Sequence, residues 1–297
     1  MQPWLRHVVV QPRFHIVDIS WRSAVQFIVS LATLSAVFLA VAALERVPAL
    51  RFAPSRFLRP HLLTDAGWYA VAAATSLVTA VVFRPQLQRL AIPGVAQRIG
   101  AAPTAAALVG AVALYDLVAF HVHRLIHRSD VLWTVHKVHH STRRLDWLAT
   151  TRTHMFEHLV RNLPAQAALF AVGIPVPVIG AAIAVYAVFA LIGHSNLAVD
   201  LRWAEPLFIT PRLHRLHHVP ATTHNNFGTV FSLWDRVAGT LTVRDTAIDE
   251  PIGVPGEVDS YPQRFLDALR QPLRQLRTRR ADQQPPAVRP EREGPRR

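Results

Sequence analysis

The sequence predicts an all-α integral membrane protein with about three membrane spans, a proline-broken helical hairpin and a cytosolic, histidine-rich helical cap. Three observations predict this class. Long stretches of the chain carry no charge, only 17% of the 297 residues are charged against 51% hydrophobic, and the histidines cluster outside the apolar stretches. Soluble domains usually contain about a quarter charged residues. This composition therefore excludes an ordinary soluble enzyme.

Three apolar runs predict the membrane spans. Residues 23–44 and 66–83 carry no charge, and residues 99–120 are interrupted only by Asp116. Each run has about the length needed to cross a hydrocarbon core of roughly 30 Å. The first run is too long and begins too late for a cleaved signal peptide. We expect it to remain as a span.

The fourth apolar run, residues 163–192, has a different form. It is 30 residues long and contains Pro175 and Pro177 near its middle. As one helix it would measure about 45 Å, which is too long for a simple crossing. Two closely spaced prolines also interrupt helical hydrogen bonding. The run therefore predicts a hairpin that enters the membrane and returns.

The net charge of +13 comes from 31 arginines and one lysine against 19 acidic residues. The basic residues lie mainly between and after the apolar runs, where they mark cytoplasmic loops or contact anionic lipids. This distribution favours membrane lipids over nucleic acid as the partner. Residues 121–162 hold six arginines and Lys137, which predicts a cytoplasmic position for this segment. The chain has no cysteine, so nitrogen or oxygen atoms must hold any metal.

Thirteen of the 16 histidines lie between residues 121 and 224, and most of them fall into three short motifs. An HxxxH motif begins at His123, and two HxxHH motifs begin at His136 and His214. Residues three and four apart share one face of a helix, so each motif projects its imidazoles together. A packed set of eight imidazoles without a metal would be a costly polar cluster. The motifs therefore predict metal binding.

The number and type of ligands restrict the metal. Eight to ten histidines exceed one zinc site and suit two metals with four or five ligands each. Imidazole binds Fe, Zn, Cu and Ni. An all-nitrogen metal pair beside a membrane points to iron and oxygen chemistry on a lipid, while a dinuclear zinc site stays open. The motifs on either side of residues 163–192 can share a metal pair only if that run returns to the same membrane face.

The motif residues resemble the fatty acid hydroxylase/sterol desaturase superfamily over roughly residues 110–245. The order and spacing of all three histidine motifs match. The resemblance is carried by Asp116, His123 and His127, Leu132-Trp133, His136 to Ser141, Arg152 to His154, His194 to Asn196, Thr210 to His218, Asn226 to Gly228 and Trp234 to Arg236.

The resemblance implies a membrane oxygenase with two non-haem iron ions on the cytosolic face, which hydroxylates or desaturates a lipid C–H bond with O2 and two electrons. No catalytic side chain beyond the metal ligands is implied. We expect Asp116 and Asp235 to accept hydrogen bonds from metal-bound imidazoles, with a helix cap or an Arg236 ion pair as the alternative for Asp235. Glu157, three residues after His154, either serves in the same way or faces solvent. The implied ligands are His123, His127, His136, His139, His140, His154, His194, His214, His217 and His218.

The sequence contains no flavin or nicotinamide motif, so electrons must come from a separate ferredoxin, cytochrome or reductase. The lipid substrate stays open among sterols, fatty acyl chains, alkyl glycerols and carotenoids. Two other functions stay open: a membrane metal transporter or metal-binding protein, and a di-zinc membrane hydrolase. Arginine used almost to the exclusion of lysine, with abundant alanine, suggests a GC-rich bacterial genome and hence the bacterial cell membrane.

The sequence divides into four regions. Residues 1–110 form the predicted membrane-spanning region, and residues 111–245 form the predicted catalytic domain. Residues 246–280 form an amphipathic region, because leucines at helical spacing alternate with arginines in a way that suits a helix on the membrane surface. Residues 281–297 are rich in Pro, Arg, Gln and Glu, which predicts a disordered tail.

Overall fold

The computed structural model describes residues 21–54, 56–100, 102–245 and 250–283, and within these ranges every regular element is helical. Short 3-10 turns join some of the helices, and the only extended pairings among the described residues are two isolated bridges. The all-α prediction is confirmed. The helices are α1 Trp21–Leu44, α2 Leu62–Val78, α3 Arg84–Leu87, α4 Pro93–Gly100, α5 Thr104–Arg128, α6 Asp130–His140, α7 Met155–Ala171, α8 Val176–His194, α9 Pro211–His218, α10 Leu233–Ala238 and α11 Phe265–Gln283.

Four helical stretches in the described residues have the length and hydropathy of membrane spans, which identifies an integral membrane protein. They are Phe27–Leu44, Leu62–Leu90, Thr104–Arg128 and Val176–His194. The second stretch is continuous because a π-helical turn, Thr79–Phe83, joins α2 to α3.

The predicted third span, residues 99–120, begins and ends differently in the structure. Residues 99 and 100 belong to α4, and α5 begins at Thr104 directly after Pro103. Proline lacks an N–H group and restricts the residue before it, so it separates two helices here. From Thr104 the helix runs to Arg128, and its last turns carry the first histidine motif.

The predicted hairpin is confirmed, and its prolines begin the second helix. α7 ends at Ala171, the chain turns at Gly173 with φ +76°, and α8 starts at Val176 with Pro177 in its first turn. Proline is tolerated there because the first N–H groups of a helix have no partner within it. The first residue of α7 and the last residue of α8 therefore lie at the same end of the hairpin.

The two hairpin helices pack against α5, and small residues allow the close approach. Ala111 on α5, Ala165 on α7 and Ala182 on α8 are fully buried. Tyr115 and Tyr186 meet edge to face with their ring centres 4.8 Å apart. α6 continues from α5, and α9 packs on α8, so the histidine motifs meet at one end of this bundle.

The C-terminal helix α11 packs on α2 and α6 through part of its apolar surface. Phe265 meets Trp68 edge to face at 4.9 Å, and Ala268 is buried. Leu266 and Leu273 are more than half exposed. The predicted tail, 281–297, lies outside the described residues except for 281–283, which continue α11, and residues 1–20 of the predicted N-terminal region also lie outside them.

Candidate metal centre

All three histidine motifs are helical, as their spacing predicts. The first ends α5, the second ends α6 and the third ends α9. α6 begins at a side-chain cap, in which Leu132 N–H donates to Ser129 Oγ at 3.4 Å. α9 begins in the same way, with Leu213 N–H donating to Thr210 Oγ1 at 3.3 Å. Such caps fix where each helix starts and therefore which way its imidazoles project.

Nine buried histidines form two groups whose ligand nitrogens lie within 4.8 Å of one another in each group. Eight of them come from the three motifs, and His194 is the last residue of α8. The first group consists of His123, His127, His136, His140 and His217. The second group consists of His139, His194, His214 and His218.

The distances between ring nitrogens are those of ligands around a common cation. In the first group, His123 Nε2 lies 3.1 Å from His136 Nε2 and 3.2 Å from His127 Nε2. In the second group, three such distances from His194 Nε2 are 2.9, 3.0 and 3.3 Å. Metal–nitrogen bonds of about 2.0–2.1 Å place neighbouring ligands about 2.8–3.4 Å apart in right-angled or tetrahedral geometry. The donor set therefore fits two metal ions.

In four of these histidines, a backbone carbonyl contacts Nδ1, the ring nitrogen opposite Nε2. A carbonyl only accepts, so each contacting Nδ1 carries the proton and the Nε2 lone pair is left for a metal. The four contacts are His123 Nδ1 to Phe227 O at 2.9 Å, His217 Nδ1 to Asn225 O at 2.8 Å, His139 Nδ1 to Arg152 O at 3.2 Å and His194 Nδ1 to Ala190 O at 2.7 Å.

One buried carboxylate contacts an imidazole directly. Glu157, in the first turn of α7, places Oε1 2.7 Å from His136 Nδ1. Such a carboxylate orients a metal-bound imidazole and raises its basicity. Burial raises the pKa of Glu157 to about 8, and the Arg161 guanidinium opposes that rise. A cation bound through His136 would therefore help to keep this carboxylate ionised.

Apart from the ion-pair contact of His136 with Glu157, four buried nitrogens of the first group have no hydrogen-bond partner among the described residues: His127 Nδ1, His136 Nδ1, His140 Nε2 and His217 Nε2. An unpaired polar atom in a dry interior costs free energy. A metal ion would satisfy the lone pairs of His140 Nε2 and His217 Nε2. This is the strongest local sign that the group is built for a cation.

Burial keeps these imidazoles neutral. It lowers the pKa of His217 to about 4, and together with neighbouring imidazoles it holds the pKa of His139 and His140 well below the ordinary value of 6.5. The pKa values of His214 and His218 are lowered for the same reason. Neutral imidazole is the form that binds a metal. The ligands are therefore in their binding form at pH 7.

His154, a predicted ligand, lies outside both groups. Its Nδ1 accepts from Phe156 N–H at 3.3 Å and caps α7, while its Nε2 lies 3.3 Å from the carbonyl oxygen of Leu269 on α11. Both ring nitrogens thus contact backbone. The structure brings nine of the ten predicted ligands together and gives His154 a helix-capping position.

Asp116 and Asp235 contact backbone amides, not the imidazoles expected from the sequence. Asp116 accepts from the N–H groups of residues 229–231 and from Trp234 Nε1 at 2.9 Å. Asp235 accepts from the N–H groups of Phe227 and Gly228, both at 2.8 Å. The two carboxylates hold the loop whose Phe227 carbonyl accepts from His123.

A cavity of about 440 Å³ lies between α1, α2, α7 and α8, and residues next to the ligands line it, although none of the nine histidines does. Thr151 and Thr153, on either side of Arg152, line it, and so does Ala190, whose carbonyl holds His194. The lining extends along α8 to Val176. The 14 helical steps from Val176 to Ala190 correspond to about 21 Å, so the cavity is long enough for an extended hydrocarbon chain.

Comparison with known proteins agrees with this geometry. Residues 108–240 match the family model described as fatty acid hydroxylase. Ornithine lipid hydroxylase OlsE of Rhizobium tropici is 33% identical over 173 residues, which cover 58% of this chain and 51% of that protein. Alkylglycerol monooxygenase of Danio rerio is 29% identical over 131 residues, which cover 42% of this chain and 28% of that protein. Alkylglycerol monooxygenase of Caenorhabditis elegans is 26% identical over 154 residues, which cover 51% of this chain and 30% of that protein.

The chain therefore spans about half the length of the first relative and less than a third of the other two. No solved structure matches it. The matched segment, 108–240, contains all nine histidines of the two groups together with Glu157.

Proposed function

From its membership of the fatty acid hydroxylase superfamily, carried by residues 108–240, we propose that this chain is a membrane enzyme that hydroxylates a lipid at a pair of non-haem iron ions. One observation carries the proposal. Nine buried imidazoles converge in groups of five and four, with nitrogens about 3 Å apart, and in five of them the opposite nitrogen contacts a carbonyl or a carboxylate. The relatives' names, hydroxylase and monooxygenase, support oxygen insertion as the reaction.

The ligand set favours iron over zinc. Structural zinc takes four protein ligands, catalytic zinc takes three, and zinc has no redox chemistry. The first group offers five nitrogens, and hydroxylation of an unactivated C–H bond requires a redox-active metal. Imidazole is a good ligand for iron. We therefore assign one iron ion to each group.

A bound iron pair would supply the reduction of O2 and the attack on a C–H bond. The protein's own residues position the site. Carbonyls of the 225–227 loop, of Arg152 and of Ala190 fix the imidazole planes, and Glu157 fixes His136. Burial of all nine rings excludes water. The adjacent cavity holds the lipid chain so that one carbon faces the second group.

Electrons reach this site from a separate ferredoxin, cytochrome or reductase, because the sequence has no motif for a flavin, a nicotinamide or an iron–sulfur cluster. We place the site on the cytoplasmic face of a bacterial cell membrane. The hairpin of α7 and α8 supports one common face, since Glu157 and His194 at its two ends both contact the histidine groups. The arginine-rich segment 121–162 supports the cytoplasmic side.

The first experiment measures metal and reaction together. The protein is purified in detergent after expression with ample iron, and Fe, Zn and Cu are quantified per chain. We expect about two Fe per chain. Membranes from expressing cells, supplied with labelled O2 and a reductant, should yield lipids that gain one labelled oxygen atom, whereas desaturation would remove two hydrogens without adding oxygen.

Two results would overturn the proposal. Two zinc ions that resist replacement by iron would support a di-zinc hydrolase. No tightly bound metal after expression in iron-rich medium would support a transporter. A reaction with sterol-like, fatty acyl, alkyl glycerol or carotenoid lipids would identify the substrate.

A further inference from the structure

Arg161 on α7 is a buried cation that belongs to neither histidine group. Its side chain is only 14% exposed, and its nearest acid is Glu157, with Nη1 3.9 Å from Glu157 Oε1. Within the described residues the guanidinium makes no hydrogen bond, and its Nε is fully buried without a partner. Five N–H donors in a low-dielectric interior are costly unless acceptors reach them.

Glu157 does not act as that acceptor. Its Oε1 lies 2.7 Å from His136 Nδ1, much closer than it lies to Arg161. A guanidinium and a carboxylate pair best through two parallel N–H···O contacts near 2.8 Å, and that arrangement is missing here. Arg161 therefore keeps its donors for another partner.

The position of Arg161 identifies where this partner lies. Arg161 lines the cavity of about 440 Å³ between the membrane helices. His158 and Gln166 line it nearby, while Leu34 and Ile179 are part of its apolar wall. Arg161 lies one helical turn, about 5.4 Å, beyond Glu157. The cation is therefore close to the carboxylate that contacts His136, in a cavity whose wall is mostly apolar and whose lining includes one further cation, Arg84.

We propose that Arg161 binds an oxyanion, a carboxylate or a phosphate, of the lipid that occupies this cavity. The planar fork of a guanidinium matches two oxygens of such a group. This inference deepens the proposed function and rests on it in treating that lipid as the substrate. It places the oxidised carbon near the anionic group of the lipid and not at the far end of its chain.

The test is equilibrium binding of three 16-carbon probes to the full-length protein in detergent: palmitate, hexadecyl phosphate and the neutral hexadecanol. The wild type should bind at least one anion about 10- to 100-fold more tightly than hexadecanol, as expected for charge-assisted hydrogen bonds. Arg161→Gln should remove this preference without weakening hexadecanol binding. Arg161→Lys should retain part of it.

The matched control is Arg98→Gln, which removes an exposed positive charge on α4 outside the cavity lining and should leave the preference unchanged. Thermal unfolding shows whether each variant is folded. A preference that persists in Arg161→Gln overturns the proposal, and so does a wild type that binds anions and hexadecanol equally. The probe that is preferred distinguishes carboxylate from phosphate.

Binding is measured without O2 or a reductant, so it stays readable if the metal assignment fails. A chain that lacks iron yet binds palmitate through Arg161 would refute the proposed function alone. A chain with two iron ions and no anion preference would refute this inference alone.

Discussion

The two histidine groups share helices but differ in what surrounds them. α6 and α9 contribute to both groups, whereas α5 contributes only to the first and α8 only to the second. The first group has five imidazoles and a carboxylate on His136. The second has four imidazoles, and carbonyls of Arg152 and Ala190 hold two of them.

For the proposed pair of iron ions, this difference predicts two roles. A carboxylate behind a ligand compensates part of a metal's charge in a dry site, so we expect the first group to bind its ion more tightly. The second group has fewer ligands, and Ala190, whose carbonyl holds His194, lines the cavity together with Thr151 and Thr153. We expect its ion to have the more open coordination and to lie closer to the substrate.

Removing one ligand from each group should give the largest effects. His123→Ala should lose the first ion and His194→Ala the second, so each variant retains about one Fe per chain. Activity should fall more than about 100-fold in both, because loss of a ligand exceeds the usual cost of losing its hydrogen-bond partner. His121→Ala is the matched control, since His121 is exposed on α5 outside both groups. Loss of both ions from either variant would show that the groups are one cooperative site.

Replacing Glu157 tests whether its carboxylate makes the first group bind its ion more tightly than the second group does. Glu157→Gln keeps the shape of the side chain and removes its charge, so we expect iron affinity of the first group to fall about 10- to 100-fold while the second group is unaffected. Competition with a chelator, followed by iron quantification, measures this. Asp200→Asn is the control because Asp200 is exposed and pairs with Arg202. Equal loss of iron from both groups would show that Glu157 does not act on the first group alone.

Weakening the loop that carries Phe227 should reduce iron binding by the first group less than the loss of Glu157 does. Asp235→Asn replaces an acceptor of the Phe227 and Gly228 N–H groups with a partial donor, which should destabilise the fold by about 1–3 kcal/mol. Because the Phe227 carbonyl holds His123, iron should be lost preferentially from the first group. Thermal unfolding and iron content measure the two effects.

Asp116→Asn is the comparison for that variant. Asp116 accepts from residues 229–231 and Trp234 but not from Phe227, so its loss should destabilise the loop with less change in iron content. If both variants lose iron equally, the carbonyl of Phe227 has no special part in holding His123.

Helical geometry explains how much of the site the sequence could predict. The spacing of the motifs predicted helices and a common face, and the structure confirms the helices. Helical geometry also explains how the histidines of one motif divide between the two groups. Residues four apart stay together, as His136 with His140 and His214 with His218, while His139, three residues after His136, turns to the other group. The prediction of one shared face missed this offset.

The carbonyl contacts behind the imidazoles were beyond the reach of the sequence, whereas Glu157 was one of its candidate carboxylates. The carbonyls that hold His123 and His217 belong to a loop about a hundred residues from α5, and its path depends on tertiary contacts through Asp116 and Asp235. Their carboxylates suggested imidazole partners, but four amide and indole N–H groups reach Asp116 first. The hairpin was predictable because Pro175 and Pro177 act locally.

His154 gives the smallest expected effect and the sharpest test of the two-group arrangement. In the structure its Nδ1 caps α7, so His154→Ala should cost about 1 kcal/mol of stability, as loss of a helix cap usually does. Both iron ions should remain, because neither group includes His154. Loss of one Fe would instead make it a tenth ligand, as the family resemblance implies, and its Nε2 would have to leave the Leu269 carbonyl to bind. Iron content and unfolding temperature, measured on the same sample, separate a capping histidine from a ligand.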